Sequence, residues 1–225
     1  AWFLARRQGF SGFAAWGLDT QKKWWNHLVV GMLTGVALYG ISFTVSLITE
    51  SEKVITIPAA KEIFTRLTLF CFGVFFSSLS EDILTRGYLF RHFGKRMPSE
   101  FFVLLSASIY LLNHIYRLMD GWETFSYLFL LGVLFAIPLV MTKKLWFTGG
   151  MHWMGNTVFY FTHGILQTES ITGKISANIL FIFCILFFIP VIILLIRRNP
   201  VLFNEPENIV LRTLNNKEEI RKNSL

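Results

Sequence analysis

A handful of polar side chains sit where apolar helices should hold none. Glu81, Asp82 and Arg86 close the run "FTRLTLFCFGVFFSSLSEDILTRGYLF", Asn113 and His114 end "FFVLLSASIYLLNH", and His152 and Asn156 lie in "GGMHWMGN". A charge at the centre of a membrane helix costs roughly 2.5–3.5 kcal/mol on insertion scales, so such residues face a protein interior or a watery cavity and mark functional sites. Helical spacing sorts them. Asp82 and Arg86 are i,i+4 and lie on one face, where they pair, neutralise each other and brace the helix. Glu81 lies about 100° further round and lacks that partner. A carboxylate left unpaired in a cavity of low dielectric suits general acid–base work. Tyr110 and His114 share a face by the same spacing, as do His152 and Asn156, and the glycines before His152 permit close helix approach. Three helices thus each aim polar groups inward. Arg66 and His163 lie close enough to span ends to reach the interface, and Cys71 and Cys184 read as apolar packing residues.

The elements that must position these groups are membrane spans. Of 225 residues, 53% are hydrophobic and only 16% charged, against about a quarter charged in soluble domains. The expected fold class is all-α, a polytopic transmembrane helix bundle. About six stretches are long enough to span: Leu28–Thr49, Phe64–Phe90, Phe101–Met119, Thr124–Thr142, Leu145–Ile165 and Ile179–Ile196. Residues 1–27 read as a basic, aromatic, interfacial segment with Trp24 and Trp25 at headgroup depth, 28–196 as the embedded bundle, and 197–225 as a polar cytoplasmic tail. "AWFLARR" reads as the last turn of an earlier helix, so a longer chain is expected.

The net charge of +7 forms no basic stripe separable from the loops, which excludes a nucleic-acid partner. It alternates instead. Arg6, Arg7, Lys22, Lys23, Arg91, Lys95, Arg96, Lys143, Lys144, Arg197 and Arg198 all fall on one side, which the positive-inside rule makes cytoplasmic. Membrane lipid is the expected partner. Counted from that side, Glu81, His152 and His114 sit at depths of roughly 14, 10 and 20 Å. That mismatch weighs against a single site unless the helix ends are staggered.

The pattern resembles the CPBP family, the CAAX-protease and bacteriocin-processing (Abi) intramembrane proteases. That family carries EExxxR, FxxxH and HxxxN/D on successive helices; here they stand as "EDILTR", "YLLNH" and "HWMGN", within Phe64 to Phe161. Asp82 replaces the second Glu, and Tyr110 replaces the Phe. The resemblance implies an intramembrane endopeptidase acting on a membrane-associated, prenylated or exported peptide. Glu81 with His114 would activate water, His152 and Asn156 would stabilise the oxyanion, and Asp82 and Arg86 would hold Glu81 in place. The family is often labelled metalloprotease, and zinc would fall to Glu81, His114 and His152. The chain has no HExxH, so no cofactor is favoured and zinc is the alternative.

Other proteases leave other marks. The "GFSG" at Gly9–Gly12 matches the GxSG of rhomboid proteases, but it lies in the interfacial segment and opens no deep helix. The rival classes are a transporter or proton pathway and a catalytically inactive scaffold. A relay spreads its groups through the membrane, whereas hydrolysis needs them around one cavity opening, by expectation, toward the cytoplasmic half.

Overall fold

The computed structural model describes residues 1–21 and 23–203. It is an all-α bundle: α1 (Trp2–Arg7), α2 (Trp24–Ile48), α3 (Ala60–Asp82) continuing through a π-helical turn at Ile83–Gly87 into α4 (Tyr88–Phe93), α5 (Ser99–Asn113), α6 (Trp122–Thr142), α7 (Trp146–Phe159) and α8 (Ala177–Arg198), closed by a short α9 (Pro200–Phe203). Four helical segments are long and apolar enough to cross a membrane: Trp24–Ile48, Ala60–Phe93, Trp122–Thr142 and Ala177–Arg198. α7 is extended by a π-helical turn at Tyr160–Ile165. α5 is shorter than its expected span. It stops at Asn113 and gives way to a 3-10 turn over Ile115–Asp120. Fifteen residues cover roughly 22 Å, short of a hydrocarbon core about 30 Å thick.

The helices alternate in direction, so the connections gather at two ends. At one end Trp24 packs on Trp146, Arg91 lies over Phe10 and Lys143 over Phe90. That end collects the Lys/Arg-rich flanks. At the other, β1 (Glu52–Thr56) and β2 (Gln167–Ser170) form an antiparallel two-stranded ribbon, with Glu52 opposite Ser170 and Lys53 opposite Glu169. Ion pairs Lys53–Glu169 and Lys174–Glu50 flank it. The ribbon was not expected from the sequence.

The N-terminal segment does more than lie at the interface. α1 and a 3-10 turn at Gly12–Trp16 fold over the Lys/Arg-rich end, where Ala5, Trp16 and Leu18 join a buried cluster with Ile83, Phe102, Leu139 and Leu145. Gly17, at φ 86°, lets the chain turn so that its carbonyl accepts from Leu145 N–H at 2.8 Å. This segment seals that end, although Trp25 remains exposed as an interfacial ring would be. Of the expected tail, residues from 204 onward lie outside those described, as does Lys22.

α2 and α7 pack most closely. A Cβ on Gly31 would lie 2.1 Å from the Phe147 carbonyl oxygen, and one on Gly35 2.3 Å from that of Met151. Glycine there brings the two backbones together, as small residues do in membrane bundles. Gly35→Ala is expected to destabilise the protein by about 1–3 kcal/mol through overpacking. Gly40→Ala, on the same helix with open space beyond its Cα, should cost nothing and raise stability by up to about 1 kcal/mol. Reversible unfolding in mixed detergent micelles reads both.

Candidate active site

Three helices bring the sequence-selected residues together, with Glu81 at the centre. α3 delivers Glu81 and Asp82 in its last turn. Glu81 Oε1 accepts from Asn113 Nδ2 at 2.9 Å and lies 3.6 Å from His114 Nδ1. Its Oε2 lies 3.8 Å from His152 Nε2. The last two are too long for direct hydrogen bonds, but within reach of one shared small molecule. The expected depth mismatch is absorbed by stagger: α7 begins inside the protein, with Leu145 just before it fully buried beneath the N-terminal segment and Phe147 in its first turn fully buried in the core. His152 is therefore carried further in than its six-residue distance from Trp146 suggests.

Asp82 and Arg86 pair as the spacing requires, both fully buried. Arg86 Nη1 donates to Asp82 Oδ1 and, at 3.0 Å, contacts Thr85 Oγ1. Its guanidinium lies 4.6 Å from the Tyr110 ring centroid and 5.1 Å from that of Phe135, two cation–π contacts of the kind strengthened by desolvation. Asp82 does not touch Glu81. Its Oδ1 accepts from His152 Nδ1 at 3.1 Å instead, and a carboxylate that only accepts sets the proton on Nδ1. The pair thus orients His152, a different task from the brace on Glu81 that the resemblance implied.

His114 is held by its own helix. Its Nδ1 lies 2.9 Å from the Tyr110 carbonyl, so Nδ1 carries the proton and Nε2 is left with the lone pair. The Tyr110 ring is buried between Arg86, His114 and His152. Asn156, one turn beyond His152, donates one Nδ2 hydrogen to Ser78 Oγ at 3.1 Å. The amide's second N–H is not engaged by that bond. Ser78 was missed by sequence reasoning, although it lies one turn before Asp82 on the same face of α3. Asn113 was noticed for its depth, but not as a partner of Glu81.

A cavity of roughly 300 Å³ reaches this cluster. His114, Tyr110 and Asn156 line its inner end, and Tyr116, Arg117, Glu52 and Ser170 line it toward the ribbon. The expectation of an opening toward the Lys/Arg-rich end is not met: the cavity extends to the opposite end, because the N-terminal segment closes the first. His163 is not a free interfacial residue. Its Nε2 donates to Glu52 Oε1 at 3.1 Å, and this hydrogen bond holds the Glu52 carboxyl below its ordinary range, against the opposing effect of burial. Arg66 contacts Glu62 and the Gly164 carbonyl.

Among the described residues no three His, Cys, Asp or Glu side chains are disposed to hold a metal ion. His114 presents toward Glu81 the nitrogen whose proton is given to Tyr110, so its lone pair lies on the far side of the ring.

Residues 63–158 match the family described as Rce1-like, type II CAAX prenyl endopeptidase. The resemblance carried by "EDILTR", "YLLNH" and "HWMGN" is thereby borne out: all three motifs lie inside the matched stretch, whose family is one of CAAX-type intramembrane proteases. With the long apolar helices, it makes this an integral membrane protein. No curated protein and no solved structure shows a significant match to the chain.

Removing one member of the buried pair strands the other. Arg86→Met is expected to cost about 3–5 kcal/mol, and Asp82→Asn combined with Arg86→Met to recover much of that loss. Detergent unfolding of the two variants beside the parent measures the difference; equal losses would show that the pair is not coupled.

Proposed function

We propose that the protein is an intramembrane endopeptidase in which Glu81 activates a water molecule with His114. The observation that carries this reading is convergence: two imidazoles from two other helices approach the Glu81 carboxylate to 3.6 and 3.8 Å, beside a cavity lined by His114 and Asn156. A proton relay would string such groups along the bilayer instead. The attacking water gives its proton to Glu81, and its oxygen bonds to the scissile carbonyl carbon. The resulting oxyanion accepts from the second N–H of Asn156 and from His152 Nε2 in the doubly protonated ring, whose charge is balanced by Glu81 before the attack and by the oxyanion after it. Glu81 then returns the proton to the departing amide nitrogen as the C–N bond breaks. No atom is left unaccounted for, and no metal is needed.

The substrate is a peptide segment tethered to the membrane. Internally quenched peptides, farnesylated and unmodified, presented to protein in lipid nanodiscs are the probes. Glu81→Gln is expected to lower kcat by about 10²–10⁴, the usual contribution of a general base. Asn156→Ala should lower it by about 10²–10³, as loss of an oxyanion donor does. A chelator should leave the rate unchanged. Parent-like cleavage by both variants would refute these roles, and loss of cleavage on chelation would restore the metal reading.

We further propose that the Lys/Arg-rich end is cytoplasmic, as charge asymmetry requires. The ribbon and the cavity then face the other side. Cysteine introduced at Lys53 on the ribbon should react with an impermeant maleimide in intact cells, and cysteine at Lys95 only after lysis. The reverse pattern would turn the cavity to the cytoplasm, where prenylated tails are presented. The expected pattern favours exported peptides.

A further inference from the structure

The partner nearest to Glu81 is neither histidine but the Asn113 amide, at 2.9 Å from Oε1. From this contact we infer that Asn113 is a positioning residue, one that fixes the rotamer of the Glu81 carboxylate. This rests on the reading of Glu81 as the group that activates water. A glutamate side chain has three torsions, and unrestrained it samples many positions. Thr85, which follows it by one turn, bonds only its backbone carbonyl. His114 and His152 lie beyond hydrogen-bond distance of its oxygens. Asp82 and Arg86 are turned toward each other and toward His152. Among the described residues, the Asn113 N–H is the one side-chain donor seen to engage the carboxylate.

The contact also selects between the two oxygens. With Oε1 held by Asn113, Oε2 is directed at His152 Nε2, across the space where the water and the scissile carbonyl must meet. The other amide atom of Asn113 is an acceptor and would repel the carboxylate, so the contact also fixes which way the amide faces. Its position is set by the last turn of α5. Asn113 is the last helical residue, and His114 leaves the helix at φ −105°, ψ 26°. A helix continuing through this point would have carried the next residues past Glu81.

The test combines a spectroscopic signature with kinetics, on the full chain in nanodiscs. Protein labelled with 15N at asparagine side chains gives the Asn113 amide resonance, assigned by its loss in Asn113→Val. It should shift strongly in Glu81→Ala, whereas the Asn178 amide, on α8, should not. Asn113→Val should lower kcat on the quenched peptides about tenfold to a hundredfold, as misplacement of a reacting group does, with KM unchanged. Asn113→His, which offers an N–H at similar reach, should restore most of the rate. An Asn113 resonance indifferent to Glu81→Ala, or parent-like kcat in Asn113→Val, overturns the inference. A responsive resonance in a parent that cleaves none of the probes supports the placement of Glu81 by Asn113 while removing the protease reading.

Discussion

The buried Asp82–Arg86 pair is the interaction on which the rest of the site depends. An isolated charge in this interior would cost several kcal/mol even after relaxation, so neither member is tolerable without the other. Their partners come from different helices: Tyr110 of α5 and Phe135 of α6 flank the guanidinium, and His152 of α7 bonds the carboxylate. Four helices therefore meet around one ion pair. Hydrophobic side chains of similar size could fill the same space as stably, but they could not aim an imidazole. What the charges supply is direction: a fixed Nδ1 proton on His152 and hence a fixed Nε2 facing Glu81.

The pair sits at a break in the helix. The π-helical turn begins at Ile83, directly after Asp82, and ends at Gly87. Such turns are uncommon and cluster at functional sites. Gly87 lies against the Trp16 carbonyl so closely that a Cβ would come within 2.8 Å of it. The N-terminal segment therefore touches both the π turn and the start of α7. A single peripheral element thus contacts both of the helical segments that carry Glu81 and His152. The same element closes the Lys/Arg-rich end, and the cavity is left to open at the other.

Much of the cluster was legible because its information is local. Asp82 with Arg86, Tyr110 with His114, and His152 with Asn156 each follow from i,i+4 spacing, which any helix obeys. The helical character of the apolar runs and their alternation followed from hydropathy and flanking charges, although four segments rather than the expected six are long and apolar enough to cross a membrane. What failed was non-local. Depths counted from a common plane misjudged His152, since the burial of Leu145 depends on Trp16 and Gly17, far away in sequence. Asp82 was assigned to Glu81, its neighbour in sequence, when its oxygen reaches α7. The ribbon joins Glu52–Thr56 to Gln167–Ser170, two short polar stretches with no strand alternation to announce them. Its pairing is fixed by where α2 and α7 end.

The short α5 shows how helix termination and chemistry can share one bond. A helix that ends inside the bilayer leaves its last carbonyls without intrahelical partners, and no water is at hand to satisfy them in a hydrocarbon setting. His114 Nδ1–H meets the carbonyl of Tyr110, four residues back, and so removes part of that cost. The bond also fixes the tautomer, leaving the Nε2 lone pair free at the cavity. A side chain without a ring N–H would leave the carbonyl unmet, and one without a second nitrogen would close the helix but accept nothing. Histidine satisfies both demands, and its position just after Asn113 places an amide donor and an imidazole beside Glu81 in two consecutive residues.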